Sequence, residues 1–217
     1  MSDERVIETQ THGRYLIDAA PGHPTRPLVV GFHGYGEHAA TQLDRLRALR
    51  GSAMWDLVSV QALHRFYRRD SETTVASWMT REDREAMISD NVAYIDNVLG
   101  AVAREVGQPT AIAFVGFSQG ASMAYRAAAL CRRTPSAVVV LGGDLPPDLG
   151  DEPLTRVARV LIGRGVRDRW FTEERCAANV QRLRHAQVDV RVVELDAGHE
   201  WTDAFTREAS DWIGAFV

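Results

Sequence analysis

The chain has 217 residues, 45% of them hydrophobic and 25% charged, with a formal net charge of −4 and only arginine among its 25 basic positions. Those proportions fit a folded globular chain with a substantial core, read here as one domain over residues 1–217, and the absence of a long run of one sign argues against a nucleic-acid surface. Cys131 and Cys176 form no spacing motif, the polar start Met-Ser-Asp-Glu-Arg lacks the apolar core of a signal peptide, and no stretch is long and apolar enough to span a bilayer, so a cytoplasmic protein without stable membrane insertion is expected.

Val6–Gln10 and Arg14–Asp18 read as two strands of an antiparallel hairpin around Thr11-His12-Gly13. Pro21-Gly22 and His23-Pro24 mark a loop. A buried-type strand from Pro27 to Phe32 runs directly into His33-Gly34-Tyr35-Gly36-Glu37. Thr41–Leu49 suits a helix closed by Gly51, and Leu57–Ala62 a short strand. Leu63–Thr80 is the least regular segment, carrying His64, Arg65, Tyr67, Arg68, Arg69 and Trp78. It reads equally well as a substrate-side loop or as a solvated excursion with Trp78 tucked into the core. In Arg81–Gly107, apolar residues from Ile88 to Val106 recur four and three apart, the stripe of a core-packing helix.

Ala111–Val115 is a short apolar run and Ala121–Cys131 an alanine-rich helical stretch; between them stands Gly116-Phe117-Ser118-Gln119-Gly120. Strand, sharp turn and helix around Gly-x-Ser-x-Gly is the context of a nucleophile elbow, which holds a serine hydroxyl out over the sheet. Further strands are expected over Ala137–Leu141, Arg159–Ile162 and Val188–Leu195. A helix over Thr172–His185 has Thr172 at its N-cap, and a terminal helix is lined by Trp201, Phe205, Trp212 and Phe216. Strands alternating with helices predict an α/β fold with a mostly parallel central sheet and helices on both faces. Each polar motif follows a strand, so the motifs converge on one edge of the sheet.

A serine hydroxyl needs a base within hydrogen-bond reach, an acid to orient the base, and donors aimed at the oxyanion. His199, in the loop after the last strand, is the chosen base for Ser118. Asp168, after the penultimate strand, is favoured as the acid, with Asp144 as its competitor; Asp196 stands too close in sequence to His199. The Gln119 amide and the Tyr35 amide are the candidate oxyanion donors. Phe117, Trp78, Phe171, Trp201, His64 and Arg65 are the candidates for substrate binding, and Tyr35 and Trp170 join Phe117, Phe171 and Trp201 as expected walls of an apolar acyl pocket, with core packing as the other reading of the aromatic side chains. No convincing metal-ligand set is present, and no cofactor is called for.

The residues Phe32-His33-Gly34-Tyr35-Gly36-Glu37, Gly116-Phe117-Ser118-Gln119-Gly120, Gly165-Val166-Arg167-Asp168 and Ala197-Gly198-His199-Glu200 resemble the phospholipase/carboxylesterase family of small alpha/beta hydrolases, related to acyl-protein thioesterases. The resemblance implies Ser118, Asp168 and His199 as triad and the Tyr35 and Gln119 amides as oxyanion hole. It implies a small-molecule ester substrate and an acyl-enzyme. Glu37 stands where members of that family often carry Asp, Gly143-Asp144 is more polar than usual, and the arginine-rich Leu63–Thr80 segment is not a close match. Lysophospholipase or thioesterase activity is the alternative, with Arg65, Arg68 and Arg69 available to a phosphate. A cofactor-free lyase and a non-catalytic binding protein on the same fold are the others. The oligomeric state cannot be read from this sequence.

Overall fold

The computed structural model describes residues 3, 5–19, 26–69 and 71–216. In chain order the strands are β1 (Arg14–Asp18), β2 (Leu28–Phe32), β3 (Asp56–Gln61), β4 (His64–Tyr67), β5 (Thr74–Ser77), β6 (Ile112–Phe117), β7 (Ala137–Leu141), β8 (Arg159–Gly165) and β9 (Asp189–Leu195). The helices are α1 (Ala39–Arg47), α2 (Arg84–Val106), α3 (Gln119–Leu130), α4 (Asp151–Leu154), α5 (Glu173–His185) and α6 (Asp203–Gly214). One sheet runs in the order β1-β3-β2-β6-β7-β8-β9. All its strands are parallel except β1, which is antiparallel to β3. The architecture is that of an alpha/beta hydrolase.

Successive side chains of a strand point to opposite faces, and a parallel sheet covered on both faces needs apolar residues at every position. Strand β2 is buried throughout. Its Leu28, Val30 and Phe32 join the core under α2, α3 and α5, with Ile95, Leu99, Ala124 and Leu183. Its Val29 joins the opposite core under α1 and α6, with Leu43, Leu46, Phe205 and Ile213. The small residues of α3, among them Ala121, Ala124, Ala127 and Ala128, are fully buried and bring that helix close to the sheet behind Ser118.

Three features depart from the sequence reading. Val6–Gln10 is not a strand; Val6 and Ile7 are 67% and 87% exposed. The segment has two adjacent apolar residues and no alternating face to bury, so β1 pairs with β3 instead, Arg14 opposite Gln61 and Asp18 opposite Leu57. Gly13 answers to Tyr94 rather than to a turn: a Cβ there would stand 2.1 Å from the Tyr94 ring. Residues 63–80 hold a regular antiparallel hairpin, β4 with β5, His64 opposite Ser77 and Tyr67 opposite Thr74. The short α4 was not anticipated. The Pro21-Gly22 and His23-Pro24 signals lie outside the described residues.

Candidate active site

Ser118 stands between β6 and α3, as the residue that caps the helix, with φ 52° and ψ −118°. A non-glycine residue held in that region costs on the order of 1–3 kcal/mol and persists only where its surroundings enforce it. Here they do. The Ser118 amide donates to the Leu141 carbonyl (2.8 Å), and the turn is so tight that a Cβ on Gly116 would stand 2.3 Å from the Gly120 carbonyl oxygen. A Cβ on Gly120 would stand 2.0 Å from the Phe32 carbonyl oxygen. Both glycines are therefore required for close approach of backbone to backbone.

His199, four residues beyond β9, places Nε2 2.8 Å from Ser118 Oγ. Its Nδ1 lies 2.7 Å from Asp168 Oδ2. A carboxylate only accepts, so Nδ1 carries the proton and Nε2 is left free to accept from the serine. The other Asp168 oxygen accepts the Trp170 and Phe171 amides at 2.8 and 3.0 Å, and the carboxylate side chain is fully buried. Asp144 does not reach the histidine. It pairs with Arg175 at 3.2 Å, and burial raises its carboxyl above the ordinary value against the pull of that arginine. Asp196 is 89% exposed and pairs with Arg167.

Around His33-Gly34-Tyr35-Gly36-Glu37 the side chains of His33 and Glu37 are both engaged. The buried His33 accepts the Ala62 amide on Nε2 (3.1 Å), so its Nδ1 donates to the Gly34 carbonyl at 2.7 Å. Burial lowers its pKa and keeps the ring neutral. The Gly34 amide donates to Glu37 Oε2 at 2.8 Å. Burial alone would raise the Glu37 carboxyl; hydrogen bonds and charge from Arg45, with the Gly34 amide, carry it below the ordinary value instead. The hairpin joins this loop by two backbone bonds, Gly36 to the Ala76 carbonyl and Ala76 to the Glu37 carbonyl. Gln119 ties the same hairpin to the elbow: its Oε1 accepts the Trp78 amide and its Nε2 donates to the Met79 carbonyl, both at 2.9 Å. Among the described residues, no acceptor meets the Tyr35 or Gln119 backbone N–H.

A cleft of about 450 Å³ opens at Ser118, walled by Tyr35, Gln119, Ser122, Asp144, Trp170, Phe171, Arg175 and His199. That volume suits a small-molecule site. Of the substrate-binding candidates Phe171 lines it, as do Tyr35 and Trp170 among the expected walls of an acyl pocket. Phe117 is buried behind His199, ring centroids 5.2 Å apart, and Trp201 packs behind Phe117 and against Phe205. Trp78 is fully buried, its indole N–H donating to the His33 carbonyl at 2.8 Å. His64 is exposed on β4, and Arg65 lines a separate cleft with Arg14, His38 and Gln61. Strand β5 stands between β4 and the loop at Glu37, which carries both residues away from Ser118. Ser122 and Arg175, not singled out in the sequence, sit in ordinary helical contexts that gave no signal. Among the described residues no group of three or more His, Cys, Asp or Glu could hold a metal ion, and no helix is long and apolar enough to cross a membrane.

A family profile described as Phospholipase/Carboxylesterase matches residues 17–161, a span that takes in the Tyr35 loop and Ser118 but ends before Asp168 and His199. No curated protein matches the sequence. Among solved structures, the chain is similar to the esterase PE8 (20% identity, TM-score 0.77, covering 94% of this chain and 99% of that one). It is also similar to the carboxylesterase of Bacillus cereus (18%, 0.71, 94% and 94%) and to acyl-protein thioesterase 2 of Zea mays (18%, 0.70, 94% and 99%). At these identities the likeness is one of fold.

Proposed function

Starting from the fact that the chain belongs to the phospholipase/carboxylesterase family and is a carboxylesterase-type hydrolase, we propose that it cleaves carboxylic esters of small or medium acyl groups with Ser118, His199 and Asp168 as its catalytic triad. His199 Nε2 takes the Ser118 proton as Oγ attacks the ester carbonyl. Asp168 holds the ring through Nδ1 and stabilises the imidazolium that forms. The Tyr35 and Gln119 amides receive the oxyanion. As the tetrahedral intermediate collapses, Nε2 returns the proton to the departing alkoxide. Water, deprotonated by the same nitrogen, then releases the acid and regenerates the serine.

The observation that carries this reading is the run of 2.8 and 2.7 Å contacts from Ser118 Oγ through His199 to Asp168. The acyl-size part rests on the cleft, where the Asp144–Arg175 pair replaces the apolar wall a long chain would need. A cytoplasmic setting and one hydrolase domain over residues 1–217 belong to the same reading. Support for the setting comes from Cys131 and Cys176, buried free thiols, the first pushed up to about 12 by burial.

The test is turnover of nitrophenyl esters and an acyl thioester of graded chain length, with fluorophosphonate labelling and Ser118→Ala alongside. Ester turnover lost in Ser118→Ala, with labelling at Ser118, is the expected result. Folded protein that neither turns over any ester nor takes the label would instead be a ligand-binding protein.

A further inference from the structure

We infer that Glu37 and Arg45 are positioning residues that hold the Tyr35 amide in place for the oxyanion, an assignment that rests on the triad reading above. Tyr35 is flanked by the two ends of one clamp. On one side the Gly34 amide donates to Glu37 Oε2 at 2.8 Å. On the other, Glu37 itself is paired through its backbone to Ala76. The Glu37 carboxylate is gripped by both terminal nitrogens of Arg45, each at 2.7 Å. The two side chains are only 20% and 15% exposed, so solvent and salt screen this pair weakly. A guanidinium bound through two parallel N–H bonds fixes direction as well as distance.

Arg45 reaches further than the loop. Its Cζ lies 4.6 Å from the centroid of the Phe117 ring and 5.5 Å from that of Trp201. Phe117 immediately precedes Ser118, and Trp201 follows His199 by two residues. One cation on α1 therefore touches the segments that carry the oxyanion donor, the nucleophile and the base. None of Glu37, Arg45, Phe117 and Trp201 lines the substrate cleft, so the pair acts through Tyr35 and not on the ester itself.

The test compares Glu37→Gln, Arg45→Met, Arg45→Lys and the double variant Glu37→Gln/Arg45→Met with wild type. Arg47→Met is the control, a change at an exposed arginine of the same helix that pairs with Asp18. Each is measured for kcat and KM on a short nitrophenyl ester, for thermal midpoint, and for inhibition by a trifluoromethyl ketone, whose serine adduct is a tetrahedral oxyanion. Misplacing a catalytic group by an ångström can cost about a hundredfold, so kcat in Glu37→Gln and Arg45→Met should fall about 10- to 100-fold with KM held within about threefold. Ketone affinity should fall with kcat, Arg45→Lys should recover part of both, and the double variant should be no worse than the poorer single one. Arg47→Met should match wild type. Folded Glu37→Gln with wild-type kcat and ketone affinity, or losses confined to the thermal midpoint, would overturn the inference. If Arg45→Met does not fold, Glu37→Gln and Arg45→Lys decide it on the same readouts. Wild type that turns over, with Ser118→Ala dead and the Glu37 variant normal, rejects this inference alone. Inactive wild type, or active Ser118→Ala, rejects the triad reading beneath it.

Discussion

Phe117 lies obliquely against His199, ring centroids 5.2 Å apart and planes 35° from parallel. Phe117 is 7% exposed and packs on the imidazole without lining the cleft. It is therefore expected to limit the rotation of His199 rather than to touch an acyl group. Phe117→Leu keeps the site apolar but removes the flat surface. We expect kcat to fall about tenfold by loss of near-attack geometry, by the same factor for every acyl length. Steady-state kinetics over an ester series check this; a variant that changes the chain-length optimum would put the ring back in the substrate site.

Asp168 and Asp144 stand at the ends of neighbouring strands and do different work. Asp168 holds His199 at 2.7 Å from a fully buried position, whereas Asp144 faces Arg175 across the cleft. Asp168→Asn is expected to lower kcat by about 10³- to 10⁴-fold, because an amide stabilises neither the tautomer nor the imidazolium. Asp144→Asn leaves the histidine untouched, so its effect should stay within about tenfold and fall mainly on KM, as loss of uniform binding does. Kinetics of the two variants side by side test the pair; a larger kcat loss in Asp144→Asn would reverse the assignment.

Trp78 offers a test of a different kind. It is fully buried against Phe32, at 5.7 Å between ring centroids, and its indole N–H satisfies the His33 carbonyl. Trp78→Phe strands that buried carbonyl and leaves a small void, which should cost about 1–3 kcal/mol of unfolding free energy. Since the ring does not line the cleft, the ratio of kcat/KM between short and long esters should match wild type. Denaturant melts and the ester series are the measurements, and a changed ratio would count against the placement.

Much of this was legible in the sequence because the physics was local. Strands buried on both faces, such as β6 and β7, are apolar at almost every position, and their ends were read to within a residue or two. Gly116 and Gly120 flank Ser118 for a steric reason that any such turn imposes. What escaped depends on distant partners. Strand β1 chose β3 over its sequence neighbour, and the hairpin β4–β5 is specified by the loop it docks on rather than by its own alternation. The Glu37–Arg45 clamp did leave a trace. Arg45 stands beside Gln42 and Leu46 on the inward side of α1, and a charge there needs a buried counterpart.

Arg126 poses that same requirement deeper in the molecule. Its side chain is 1% exposed and is held by both oxygens of Asp148, at 2.8 and 2.6 Å, and Arg84 donates a third bond to that carboxylate at 3.0 Å. Burial alone would raise the Asp148 carboxyl; hydrogen bonds and charge from Arg126 outweigh it and bring the value from 3.8 to about 2. A carboxyl depressed in the folded state contributes stability that is present above its unfolded value and is lost as pH falls through the folded one. That contribution should therefore be complete above about pH 4 and decline towards about pH 2. Asp148→Asn leaves a buried guanidinium without its counter-charge and is expected to cost about 3–5 kcal/mol near neutral pH. In acid the gap should narrow, because the unfolded wild type takes up a proton at its ordinary value, an uptake that favours unfolding and that asparagine at this position cannot make. Urea unfolding of both proteins at pH 7 and near pH 2.5 measures the gap directly. An equal gap at both pH values would mean that shape, and not the charge on Asp148, holds Arg126 in place.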